Sequence, residues 1–235
     1  MKKSTVNQIK ERFDNDIERF SNLETGQTAT MDAMIALELM TSTANIIKPK
    51  AIKMMDLGCG AGNYTLKMLT KQSNLDCTLI DLSPKMLERA FQRVSEITTG
   101  KVETLAGDIR KIDIPTNTFD IILAGAVLHH LRDDSDWEFV FKKLYNSLTP
   151  GGCLMISDLI VQENPAVNQL IWNRYAQYLK ELGGSEYQQK VFDYIEIEDS
   201  PRSLNYQLNL MKKTGFTCTE ILHKNACFAS FCGIK

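Results

Sequence analysis

Residues 52–62, Ile-Lys-Met-Met-Asp-Leu-Gly-Cys-Gly-Ala-Gly, run from a short apolar stretch into an acid and then into glycines at Gly58, Gly60 and Gly62. Such a stretch is a strand entering a loop, where glycine lets the backbone turn through positive φ and approach a ligand with no Cβ in the way. Asn63 to Leu69 carries apolar residues at helical spacing, so a helix N-terminus opens onto the same loop and completes a nucleotide-type cradle. The spacing narrows the ligand. A dinucleotide fingerprint requires a glycine three residues beyond Gly60, and Asn63 stands there.

Strands and helices alternate around this unit. Cys77–Asp81, Lys101–Ala106, Phe119–Ala124 and Cys153–Ser157 read as further strands, and Phe216–Leu222 and Cys227–Cys232 as a closing hairpin joined by His223-Lys224-Asn225. Ser83-Pro84 starts a helix whose apolar face is Met86, Leu87, Ala90, Val94 and Ile97; Ser135 opens another, lined by Trp137, Val140, Phe141, Leu144 and Leu148 and ended by Thr149-Pro150-Gly151-Gly152. Val6, Ile9, Phe13, Ile17 and Phe20 form a helical stripe near the start. A second helix, through Met31, Met34, Ile35, Leu39 and Met40, follows a connection over Leu23–Gln27. Val167, Leu170, Ile171, Tyr175, Tyr178, Leu179 and Leu182 form an apolar stripe that also takes in Arg174, and a last helix, Leu204–Lys213, is capped by Gly215.

The expected architecture is α/β: a Rossmann-like, doubly wound, seven-stranded sheet, mostly parallel with the last strand antiparallel. A single domain, 1–235, would comprise a helical N-terminal lid (1–50), a cofactor-binding core (51–160), a helical insertion after strand five (161–203) and a final helix with the hairpin (204–235). A net charge of −2 with mixed signs gives no broad footprint for nucleic acid or an anionic membrane. The Met1–Thr5 start shows no export signal and no stretch is long enough to span a bilayer, so a cytoplasmic location is expected. The six cysteines include no C-x-x-C pair and read as buried thiols, with no disulfide framework.

Three acids fall at strand ends, each suited to a different task. Asp81 is placed to accept hydrogen bonds from both hydroxyls of a ribose, Asp108 with Ile109 to take an adenine edge, and Asp56 to organise the glycine loop. The segments D-L-G-C-G-A-G (56–62), D-L-S-P-K-M-L (81–87), G-D-I-R (107–110), F-D-I-I-L-A-G-A-V-L-H-H-L (119–131) and L-T-P-G-G (148–152) resemble, motif by motif, the class I S-adenosylmethionine (SAM) methyltransferases. The resemblance implies SAM as cofactor and S-adenosylhomocysteine as product, bound by Asp56, Gly58, Cys59, Gly60, Gly62, Asp81, Leu82, Met86, Asp108, Ile109, Ala124 and Gly125.

Thr214-Gly215-Phe216 and the added helices resemble the branch that contains carboxy-SAM synthase of the tRNA wobble-uridine pathway, which makes a modified SAM. In that branch an arginine on the helix before the Gly-Phe pair grips the extra carboxylate, and counting back from Gly215-Phe216 reaches Leu210. The expected activity is therefore ordinary methyl transfer to a small-molecule acceptor, with carboxy-SAM synthesis and a SAM-binding module without turnover as the alternatives. The branch also implies a homodimer.

Gly125 is small enough to leave room beside the end of the fourth strand. His129 and His130 beyond it are the available bases near neutral pH, and Arg174 and Tyr175 are candidates for the acceptor. No metal is expected, because adjacent histidines point in different directions and no second cluster completes a shell.

Overall fold

The computed structural model describes residues 3–22 and 26–235, so Leu23, Glu24 and Thr25 of the expected connection lie outside the described residues. Near the start lie α1 (Val6–Asn15), α2 (Ile17–Ser21) and α3 (Ala33–Ile47). The alternating core follows with β1 (Lys53–Leu57), α4 (Asn63–Leu69), β2 (Asp76–Asp81), α5 (Pro84–Ser95), β3 (Val102–Ala106), β4 (Phe119–Gly125), α6 (Asp134–Ser147) and β5 (Leu148–Leu159). Last come α7 (Pro165–Glu198), α8 (Leu204–Thr214), β6 (Cys218–Asn225) and β7 (Phe228–Ile234). Among the described residues the strands form one seven-stranded sheet in the order β3-β2-β1-β4-β5-β7-β6, in which β7 alone runs antiparallel to its neighbours. This is the doubly wound sheet expected.

Successive side chains of a strand point to opposite faces, and β1 shows the consequence. Met55 and Leu57 join Trp137 and Phe141 of α6 and Met211 of α8 in one core layer, while Met54 joins Leu37 and Met40 of α3, Met68 of α4 and Leu87 of α5 in the other. A large apolar side chain buried this completely is worth roughly 1.5–3 kcal/mol. Both faces of the sheet are covered, so ligands have access only at the strand ends.

The ends of several elements differ from expectation. Asp133 rather than Ser135 caps α6, its carboxylate accepting from Asp136 N–H, and the Thr149–Gly152 segment read as the helix end belongs to β5. Ile97 lies beyond α5 and is exposed, as are Met34 and Ile35, because α3 buries Ala33, Ala36, Leu37, Met40 and Ala44 instead. His223, Lys224 and Asn225 are strand residues, and the hairpin turns one step later at Ala226, with φ +48°.

The expected 165–182 helix continues to Glu198, but Gly184 breaks it at φ 81°, ψ 179°. Trp172 and Tyr175 before the break each lie 5.8 Å, centroid to centroid, from the Phe192 ring beyond it, so α7 is two arms folded onto each other. The fold returns the chain to the sheet, where Val161 bridges Ser203. No described helix is long and apolar enough to cross a membrane.

A candidate cofactor and acceptor site at the strand ends

Gly58, Gly60 and Gly62 all have positive φ, at 65°, 50° and 86°. The three have different surroundings. A Cβ on Gly58 would meet Val127 at 2.5 Å and one on Gly62 would press on Ala90 and Val94 of α5 at 3.3 Å, whereas one on Gly60 would meet nothing within 4 Å. Gly58 and Gly62 thus permit packing, and Gly60 presents its backbone to open space at the strand ends.

Asp81 ties this loop to the next one, its carboxylate accepting from Gly60 N–H at 2.9 Å and from Ser83 N–H at 2.8 Å. Burial pushes its carboxyl up against these amide bonds, and Asp14 of α1 adds like charge. The Ser83 hydroxyl bonds Asp14 as well as capping α5, so Leu82 and Met86 lie on a turn held from both sides. Cys59 is buried, and its N–H reaches Ile80 O at 3.0 Å.

Two other acids have side-chain partners that sequence reasoning did not give them. Asp56 bonds Thr65, through N–H at 3.2 Å and the hydroxyl at 2.7 Å, so it pins the first turn of α4 to β1 rather than the glycine amides. Asp108, beside the buried Ile109, is gripped by the Arg110 fork, with Nε at 2.9 Å from Oδ1 and Nη2 at 2.6 Å from Oδ2. Burial works against the charge of Asp108 but the hydrogen bonds and charge of Arg110 outweigh it.

Burial also raises the Asp56 carboxyl, to about 7, against the two Thr65 bonds. An acid whose folded pKa lies above its unfolded value near 4 binds extra protons when folded, so its contribution to stability falls as pH rises from about 4 to 7. Asp56→Asn keeps an acceptor for Thr65 and cannot ionise. In the ligand-free protein its stability relative to wild type is expected to improve between pH 5 and pH 8, by at most ~2.6 kcal/mol. A difference that stays flat in chemical denaturation at the two pH values would mean that Asp56 ionises below pH 5.

Beyond β4, Ala124 is fully buried, and the space that Gly125 leaves is occupied: a Cβ there would lie 2.5 Å from the Tyr64 ring. Gly125 therefore makes room for Tyr64, not for an acceptor. The chain then enters a 3-10 turn over Leu128–His130. Asp158, at the end of β5, accepts from His129 N–H at 3.1 Å and Leu159 N–H at 2.8 Å, and its other contact is with His129 Nδ1. His129 Nε2 faces Asp199 Oδ1 at 3.7 Å, and His130 Nδ1 lies 3.2 Å from the same oxygen. Burial opposes a charge on His129, but Asp158 and Asp199 overcome it and hold its pKa up to about 9. Burial and the His129 charge push His130 down.

His129 is therefore not the free base expected: it keeps its proton near neutrality and both ring nitrogens face carboxylates. The expectation that nothing joins the histidines is also overturned, because the tight turn sets their rings 4.3 Å apart and Asp199 closes the group. Asp158 carries the signal that marked Asp56 and Asp81, an acid ending an apolar strand, one residue past the expected strand end. Asp199 has no such signal. It arrives across both arms of α7, where Ser200 N–H bonds His129 O at 2.7 Å.

Tyr175 is 2% exposed, gives its hydroxyl to Ala29 O at 2.9 Å and packs on Phe228, so it anchors the cover and presents no polar group to an acceptor. Arg174 is exposed at the rim, near Asp32. The N-terminal helices close over the edge. Asn63 reaches Phe20 O, Arg12 pairs with Glu198, and Ser4 N–H bonds Ile197 O at 3.1 Å.

Sheet order, glycine loop and the acids at the strand ends resemble those of class I SAM-dependent methyltransferases, and the comparisons with known proteins agree with that likeness. Residues 54–152 match the family described as Methyltransferase domain. Among characterised relatives, the chain resembles the carboxy-S-adenosyl-L-methionine synthase of Nautilia profundicola, with 27% identity over 184 residues covering 78% of this chain and 77% of that protein. The same enzyme of Campylobacter lari is 23% identical over 238 residues, 96% of this chain and 99% of the relative. The fold matches human N-acetylserotonin methyltransferase in complex with SAM, at TM-score 0.63 and 16% identity, over 98% of this chain and 57% of that one. It also matches the DhpI–SAH complex, at TM-score 0.65 and 14% identity, over 97% of this chain and 95% of the other. The residues present fit SAM: Gly60 leaves open the space a bound molecule needs, and Asp81 stands beside it at the end of β2.

Proposed function

We propose that the protein transfers the methyl group of SAM to a small-molecule acceptor held between the 3-10 turn after β4 and the folded cover of α7. The observation that carries this reading is that the glycine loop and the histidine turn follow the paired strands β1 and β4, a Cβ on Gly58 meeting Val127 just before the turn, so that the open Gly60 backbone and the His129–His130–Asp199 group both lie past the carboxyl ends of the sheet. When bound, SAM supplies a methyl group already activated by its sulfonium. The chain's own residues then have to bind, align and exclude water. Asp81 and the glycine loop hold the nucleotide, α1 and α2 cover it, and the histidine group stands where an acceptor's polar atom needs a partner. The absence of a broad basic face supports a small acceptor over a nucleic acid.

Calorimetry with SAM and with NAD, followed by a metabolite screen for S-adenosylhomocysteine release, tests the reading; tight NAD binding with none for SAM would sink it. Once an acceptor is known, His129→Ala and His130→Ala are each expected to lower kcat/KM while leaving SAM affinity within about threefold. Full activity in both variants would place the acceptor elsewhere.

Carboxy-SAM synthesis is the second reading, favoured by the names of the relatives. Against it stands Leu210, which is apolar and buried in the core layer that holds Met211 and Phe216, with no charge to grip a carboxylate. Mass spectrometry of the copurifying nucleotide is expected to find SAM or S-adenosylhomocysteine, and carboxy-SAM in its place would promote the second reading.

A further inference from the structure

Among the described residues, His129, His130 and Asp199 each offer one ligand atom, and these atoms lie within 4.8 Å of one another. Two of them, though near opposite charge, are not aligned for a hydrogen bond. Asp199 Oδ1 and His130 Nδ1 are buried and make no hydrogen bond to any described residue, although they are only 3.2 Å apart. Asp199 is 4% exposed, so water does not readily satisfy that oxygen. An acceptor and a ring nitrogen this close yet out of line for a hydrogen bond suit a third atom set to one side of both.

The two separations from Asp199 Oδ1 agree with that arrangement. A cation about 2.1 Å from each ligand atom would subtend roughly 100° between atoms 3.2 Å apart and roughly 120° between atoms 3.7 Å apart, both near tetrahedral values, and would draw the two imidazole nitrogens to about 3.4 Å from each other, inside the 4.8 Å that bounds the group. The support behind the ligands has the form that metal-binding histidines use. His129 offers Nε2 to the group while its Nδ1 is held by Asp158, whose carboxylate is itself fixed by the His129 and Leu159 amides.

We propose that His129, His130 and Asp199 bind a divalent first-row cation of the zinc type. Two imidazoles and one carboxylate are the donors that zinc takes, while magnesium and calcium require a shell of oxygens. Three protein ligands leave a coordination position open. An acceptor hydroxyl there would be made more acidic by the cation and would give its proton to solvent water, leaving the bound alkoxide or phenolate to attack the methyl group, which makes the acceptor an oxygen nucleophile. This last clause rests on the methyl-transfer reading; the metal site does not.

The test uses the full chain, stripped with a chelator and titrated with Zn2+ against a chromophoric competitor. One equivalent is expected to bind, and His130→Ala and Asp199→Asn are each expected to weaken binding by about 100-fold or more. Because either variant can disturb the packing of the cover, the unmutated protein is also loaded with Co2+. The expected spectrum shows the visible bands of a four-coordinate nitrogen and oxygen site without thiolate charge transfer. No stoichiometric uptake, variants that bind as tightly as wild type, a thiolate spectrum, or equal binding of Mg2+ would each overturn the proposal. SAM affinity is measured on the same samples, so that failure to bind SAM, which bears on methyl transfer, is distinguished from failure to bind metal.

Discussion

Asp81→Ala is expected to weaken SAM binding at least tenfold in a protein that still folds. Charge-assisted hydrogen bonds are worth roughly 1.5–3 kcal/mol each, and the ribose hydroxyls would lose two. The structure adds a second loss, since the same carboxylate accepts from Gly60 N–H and Ser83 N–H and so sets the spacing between the glycine loop and the turn into α5. Asp81→Asn, which keeps one acceptor oxygen but not the charge, should fall between alanine and wild type. Unchanged calorimetric affinity in folded Asp81→Ala would remove Asp81 from the nucleotide site.

The glycine loop gives an equally large effect, and with it a separation of binding from stability. Gly60→Ala places a methyl group in open space, so the free protein should lose only the ~1 kcal/mol strain of a left-handed alanine. The bound nucleotide would meet that methyl group, and SAM affinity is expected to fall at least tenfold. Gly58→Ala adds to the same strain a Cβ 2.5 Å from Val127, an overpacking that costs about 1–3 kcal/mol more. Thermal unfolding and SAM titration of both variants check the contrast. A Gly60→Ala protein that binds SAM normally would show that the ligand does not lie against this backbone.

The sheet was legible because its strands are short apolar runs between turn residues, and the glycine loop because only glycine takes those φ values readily. The acids at the strand ends were legible by position, but their partners were not: nothing local says that Arg110 will fork onto Asp108 or that Thr65 will take Asp56. At the histidine group the limit is different. His129 and His130 stand out in the sequence, Asp158 was missed by one residue, and Asp199 becomes their neighbour only because Gly184 folds a long helical segment in two. The direction in which the second arm returns is decided by tertiary packing of Trp172, Tyr175 and Phe192. The outward turn of Met34 and Ile35 has a related cause: the face of α3 that meets the sheet is the one with small residues, where two layers can approach closely.

Helix α1 is tethered at both ends of the site. Asp14 bonds Ser83 beside the nucleotide loops, while Arg12 and Ser4 hold the return arm of α7 through Glu198 and Ile197. On the methyl-transfer reading proposed above, nucleotide exchange and acceptor exchange would share one gate. Lifting α1 far enough to release S-adenosylhomocysteine would also loosen the wall behind the histidines, so the departures of the two products would be coupled in each catalytic cycle. Its turnover ceiling would be set by how often ten residues of helix come undocked rather than by the methyl transfer itself.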